Sequence, residues 1–127
     1  MGQRYLIDTN VVIEYLENKL PHAASAVLDN IDIQISVISR MELLGWRKAT
    51  EAQLQVLNGF IDSSYVCGLT EETILKTIEI RKNYAVKLPD AIIAATAMAN
   101  NSILLTRNIE DFKKITALTC INPYELK

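Results

Sequence analysis

Histidine occurs once in this chain, as His22, and cysteine twice, as Cys67 and Cys120. With one imidazole and no Cys-x-x-Cys pair, the donor set argues against zinc. The two cysteines lie far apart, each inside an apolar run, which predicts buried free thiols rather than a disulfide or a redox pair. His22 follows Pro21 where a helix starts and is expected on the surface. Positive charge is not in excess: 13 Lys and Arg stand against 15 Asp and Glu, a net charge of −2. That argues against a broad electrostatic grip on DNA and leaves room only for a local basic rim. Long apolar runs are also missing. The most apolar stretch, Ala91 to Ala99, is too short to cross a bilayer, and none precedes Asp8, so no signal peptide and a cytoplasmic location are expected. No Pro/Gly-rich linker, repeat or low-complexity segment divides the chain, and no Asn-Gly-type turn stands between two strand-like runs.

What is present is ordinary globular material. Half of the 127 residues are hydrophobic and 22% are charged, which fits a single packed domain over residues 1–127. Tyr5-Leu6-Ile7 is a consecutive apolar run, read as a strand from Arg4 to Asp8 buried on both faces. Thr9 and Asn10 are cap-forming residues, and Val11 to Leu16 continues at helical spacing until Asn18. Pro21 opens a helix ending near Asn30, and Ile31 to Ile35 reads as the second strand. Ser36 begins a helix through Trp46, and Thr50 with Gln53 forms a capping box for Glu51 to Asp62. Tyr65-Val66-Cys67 is the third strand, followed by a helix capped by Thr70 and running to about Tyr84. Leu88-Pro89-Asp90 starts an alanine-rich helix ending at Asn100-Asn101. Ser102 to Thr106 is the fourth strand, Asn108 to Lys114 a turn or short helix, and Leu118 to Ile121 the fifth strand.

Strands separated by helices imply an α/β fold with a mostly parallel sheet covered on both faces, and ligands in such sheets bind at the carboxyl ends of the strands. The acids fall there. Asp8 ends the first strand, although it would also serve as an N-cap. Glu42 has Ile38, Ser39, Gly45 and Trp46 as helical neighbours, so it is an acid on a largely apolar face. Its alternative is a capping box with Ser39, if the helix begins there. Asp90 sits in a first helical turn, where the dipole favours a carboxylate, yet it aligns with Ile93, Ala94 and Ala97 on the apolar stripe. Thr106, Asn108 and Asp111 bring a hydroxyl, an amide and an acid to the same edge, with a solvated turn as the alternative.

Carboxylates gathered at one edge raise one another's pKa unless a cation neutralises them. Oxygen ligands without His or Cys suit Mg²⁺ or Mn²⁺, and such an ion promotes phosphodiester hydrolysis.

In four stretches the chain resembles the PIN-domain nucleases, specifically the small toxin ribonucleases of type II toxin–antitoxin pairs, the VapC type. These are Leu6 to Asn10, Ser36 to Leu44, Leu88 to Ala97 and Leu105 to Phe112, in the family's order and across essentially the whole length. The resemblance implies a PIN-like three-layer sandwich with a five-stranded central sheet. It also implies Mg²⁺- or Mn²⁺-dependent cleavage of structured RNA such as tRNA or rRNA, inhibition by a cognate antitoxin lying over the site, and a homodimer. Carried over by position, Asp8, Glu42 and Asp90 match the three core acids, with Asp8 and Asp90 as the expected metal ligands. Either Asn108 or Asp111 completes the set. Thr106 is expected to fix a carboxylate or a bound water, with Thr9, Asn10, Ser39 and Arg107 as further polar helpers and Lys87 and Arg40 on a basic rim.

Two other readings stand beside this one. An aspartyl-phosphate phosphatase also places a nucleophilic Asp after its first strand, but wants an acid where Asn10 stands. A non-catalytic PIN-like binding module would be expected to have lost a core acid. Trp46, Leu54, Leu57 and Phe60 offer an apolar contact surface for a partner, or plain core.

Overall fold

The computed structural model describes residues 3–126. Five short strands, β1 (Tyr5–Ile7), β2 (Gln34–Ser36), β3 (Tyr65–Cys67), β4 (Ile103–Leu105) and β5 (Cys120–Ile121), form one sheet in the order β3-β2-β1-β4-β5. Every pairing is parallel, with Leu6 opposite both Gln34 and Leu104. The expected mostly parallel sheet is therefore wholly parallel.

Seven α-helices connect and cover it: α1 (Thr9–Leu16), α2 (His22–Asp29), α3 (Val37–Leu44), α4 (Glu51–Asp62), α5 (Glu71–Asn83), α6 (Leu88–Ala99) and α7 (Ile109–Phe112). Side chains alternate across a strand, so adjacent residues serve opposite layers. Leu6 and Leu104 pack with Ala91, Ala94 and Phe112 on one face, while Ile7, Ile35 and Leu105 pack with Val11, Val12, Leu28 and Leu43 on the other. The small side chains along α6 let that helix lie close to the sheet.

Local chemistry sets most boundaries. Thr50 and Gln53 form the expected reciprocal capping box, with bonds of 2.8 and 3.1 Å. Asn18 and Asn101, at φ 58° and 53°, take the left-handed conformation just beyond α1 and α6, which Asn tolerates better than most residues. Helix α3 stops at Leu44, short of the expected Trp46. A β-carbon on the capping Gly45 would lie 2.6 Å from the Met41 carbonyl oxygen, so this turn closes as it does on glycine. The second strand is displaced from Ile31–Ile35 to Gln34–Ser36. Its ladder extends only as far as the three-residue strands beside it, and Ile31 and Ile33 pack against the core from the preceding segment instead.

Candidate active site

The sheet order places β2 on one side of β1 and β4 on the other, so the connections that follow β1 and β4 lead away in opposite directions, to β2 and to β5, and open a crevice at the carboxyl ends of the two strands. Asp8 stands in that crevice. Its backbone N–H donates to Leu105 O at 2.9 Å, continuing the β1–β4 ladder, and its carbonyl accepts from Val11 and Val12 as α1 begins. Asp8 is the N-cap of α1, taking the role expected for Thr9 and Asn10, because its extended backbone precedes the first helical residue. Capping and membership of the acidic group are thus compatible in one residue.

Asp8 is only 7% exposed. Oδ1 accepts from the Thr9 N–H at 2.8 Å and Oδ2 from the Thr106 hydroxyl at 2.7 Å. Burial pushes its pKa up, these two bonds pull it back, and the charges of Asp90 and Glu42 raise it further. Thr106 is fully buried at the end of β4, and its oxygen also accepts from the Asn108 N–H at 2.9 Å. The Asn108 amide group in turn donates to Asp111 Oδ2 at 2.7 Å. Asn108 and Asp111 therefore act as one unit, joined to Asp8 through Thr106.

On the other flank, the Thr9 hydroxyl donates to Glu42 Oε1 at 2.6 Å and also lies 2.9 Å from Ser39 Oγ. Ser39 is fully buried, and its N–H donates to the Ser36 side chain that caps α3. Because α3 already begins at Val37, a capping box between Ser39 and Glu42 does not form. Glu42 is solvent-exposed, so its apolar neighbours leave the carboxylate wet rather than enclosed. Asp90 is half-buried in the first turn of α6, which has no side-chain cap. Burial raises its pKa first, then the charges of Asp111 and Glu42, against a lowering by Lys87.

Asn10 is exposed on the first turn of α1. Arg107, expected as a polar helper, grips Glu14 with bonds of 2.8 and 2.9 Å and lies 3.8 Å from the centre of the Tyr124 ring. Sequence reasoning missed Glu14 and Tyr124: Glu14 is 93 residues from Arg107, and nothing local joins them. Arg40 and Lys87 are both exposed.

All the donors drawn together here are oxygens, which suit a hard divalent cation. Asp8 feels the charges of Asp90 and Glu42, and Asp90 those of Asp111 and Glu42, with Lys87 as the cationic side chain that acts on Asp90. Among the described residues, no three His, Cys, Asp or Glu side chains stand close enough to enclose a metal by themselves. Beside the site, Ile13, Leu16, Leu43, Trp46, Val56 and Leu57 line an apolar groove of about 540 Å³ between α1, α3 and α4, with Glu42 on its wall. Leu57 is largely core, whereas Leu54 and Phe60 are half-buried outside the groove.

The model of the PIN domain matches residues 5–118. The chain is 31% identical to the tRNA(fMet)-specific endonuclease VapC of Salmonella typhimurium, over 91% of this chain and 94% of that protein. Its fold is similar to a chain of a toxin–antitoxin complex from Klebsiella pneumoniae, at 30% identity and a TM-score of 0.76, covering 96% and 99% of the two chains. It is also similar to a chain of the DNA-bound VapBC of Salmonella typhimurium, at 26% identity and a TM-score of 0.82, with the same coverage. The chain belongs to the PIN-domain family, in its VapC type.

Proposed function

We propose that this chain, as one PIN domain, is a divalent-metal-dependent endoribonuclease that hydrolyses phosphodiester bonds of structured RNA, tRNA or rRNA, in the cytoplasm. The reading rests above all on the buried Asp8 carboxylate, tied through Thr106 to Asn108 and Asp111 and electrostatically joined to Glu42 and Asp90. An RNA substrate is supported by the Salmonella relative, which is named as a tRNA endonuclease.

In this proposal Asp8 and Asp90 hold Mg²⁺ or Mn²⁺, with Glu42 and Asp111 completing the acidic set. When bound, such an ion makes water a better nucleophile and offsets charge building on the phosphate. The chain's own residues do the positioning. Thr106 and the Thr9 N–H hold the two oxygens of Asp8 in one orientation, and the Thr9 hydroxyl holds Glu42. Asn108 keeps Asp111 turned toward the same edge. Burial and the neighbouring acids make the bare Asp90 carboxylate costly to keep ionised, a cost that a bound cation would offset. An aspartyl-phosphate route is disfavoured, since both Asp8 oxygens accept hydrogen bonds and Asn10 stands where a second acid is needed.

The partners follow from the same reading. An antitoxin segment lying in the groove of Leu16, Trp46 and Val56 would end beside Glu42 and so cover the acids. The solved relatives include toxin–antitoxin complexes, which supports such a partner. A homodimer is expected to use another face, for which the exposed Leu75 and Ile78 of α5 provide apolar surface.

The decisive measurement uses purified protein freed of antitoxin. RNA should be cleaved with Mg²⁺ or Mn²⁺ and left whole with EDTA, and Asp8→Asn should be folded but inactive. Wild-type cleavage by Asp8→Asn would sink the assignment.

A further inference from the structure

A polyanion must approach an edge that already carries the carboxylates of Asp8, Glu42, Asp90 and Asp111. One divalent cation offsets half of that charge, and each RNA phosphate adds to what remains. Cationic side chains close to the acids are therefore required, and the net charge of −2 means they must be local rather than general.

The loop of residues 84–87, between α5 and α6, gathers such groups. Arg81 lies in the last turn of α5 and donates to Val86 O at 3.1 Å. Lys114, just past α7, donates to Ala85 O at 2.8 Å. Two cations are thus tethered to adjacent peptides of one loop, and each keeps further N–H donors free for another acceptor. Lys87 is the N-cap of α6, three positions before Asp90, and its charge is felt by that carboxylate. Among the described residues, none of the three is in an ion pair, whereas Lys19, Arg107 and Lys113 are all paired with acids. Arg81 and Lys87 line an open depression of about 460 Å³ with Tyr84, Ala85 and Val86.

We propose that Arg81, Lys87 and Lys114 form a phosphate-binding shoulder on loop 84–87, which holds the RNA backbone next to the scissile phosphate at Asp8 and Asp90. The proposal rests on the nuclease reading for the identity of the polyanion. It divides the labour at the edge: the acids and their cation act on one phosphate, and the shoulder anchors a neighbouring one. Arg81 and Lys114 are fixed by the loop carbonyls, so less side-chain freedom is lost on binding than for untethered cations.

The test reads binding apart from cleavage. In an Asp8→Asn background with Mg²⁺, binding of a fluorescein-labelled RNA stem-loop is followed by anisotropy across a salt series. Lys87→Gln and Lys114→Gln are compared with Lys76→Gln, which lies toward the opposite end of the sheet beside Gln3, Asn101 and Thr119. Each lost phosphate contact should weaken binding several-fold and reduce the slope of log K against log salt by roughly 0.7 to 0.9. Lys76→Gln should change neither. Arg81→Lys keeps the charge and should retain most of the slope that Arg81→Gln loses, which separates phosphate binding from mere bracing of the loop. Unchanged affinity and slope in Lys87→Gln and Lys114→Gln overturn the shoulder, even if the wild type cleaves RNA. Absence of stem-loop binding at low salt also overturns it. Shoulder-dependent binding without cleavage by the wild type would instead uphold the shoulder and reject the nuclease reading.

Discussion

Replacing the Asp8 carboxylate by an amide removes a charge that the fold holds almost out of water. Because burial raises its pKa above the ordinary 3.8, the ionised form is less favourable in the folded chain than in the unfolded one. The penalty is present above the raised folded pKa, shrinks as pH falls through it, and is gone below the unfolded value. Metal-free Asp8→Asn should therefore melt higher than the wild type at neutral pH, with the gap closing on acidification in a pH series of thermal melts. Thr106 works in the opposite direction, since its hydroxyl lowers the Asp8 pKa. Thr106→Val leaves Oδ2 of Asp8 without a donor in a buried place and should cost about 1–3 kcal/mol in urea unfolding. It should also shift the acidic limb of the pH–rate profile upward, whereas Thr106→Ser should restore both. A purely steric role for Thr106 would leave that limb where it is.

Between the elements, Arg107 is a clasp. It follows the buried Thr106, grips Glu14 of α1, and lies against Tyr124 of the 3₁₀ turn Pro123–Glu125, whose hydroxyl donates to Lys19 O at 3.1 Å. One side chain thus joins the β4–α7 connection, the first helix and the C-terminal turn. Both bonds to Glu14 leave from one nitrogen, Nη1, which an ammonium could match, whereas the stacking on Tyr124 needs the flat guanidinium. Arg107→Ala should lower stability by about 1 kcal/mol, a modest figure because the pair is partly solvated. Arg107→Lys should recover the share due to the ion pair but not the share due to stacking, and the same urea titration tests both. Full recovery by lysine would show that charge alone matters there.

For the molecule as a whole, the two layers of core hold the edge in shape. Phe112 is fully buried against the α6 side of the sheet, directly after Asp111. Phe112→Ala should cost about 3–5 kcal/mol, a large part of the total stability of a small domain. Denaturant unfolding should show the lower midpoint, and a loss below about 1 kcal/mol would mean that the core closes around the gap.

The amino-acid sequence alone determined the features that neighbours along the chain decide. The Thr50–Gln53 box, the strand at Tyr65–Cys67 and the Pro89 start of α6 depend on caps, fixed φ and β-rich runs within a few residues. The positions of Asp8, after a strand, and of Asp90, in the first turn of a helix, were legible as well, whereas Glu42 is the sixth residue of α3. Tertiary structure decided what depends on partners distant in the chain. It shortened β2 to the length its neighbours can pair, and it showed Glu42 exposed, with its carboxylate held by Thr9. It also made the choice between Asn108 and Asp111 less exclusive, by joining both to Asp8 through Thr106, and drew Arg107 to Glu14. Hydrogen bonds and ion pairs across about a hundred residues leave no local signature, because either partner alone reads as an ordinary polar residue until the sheet sets them side by side.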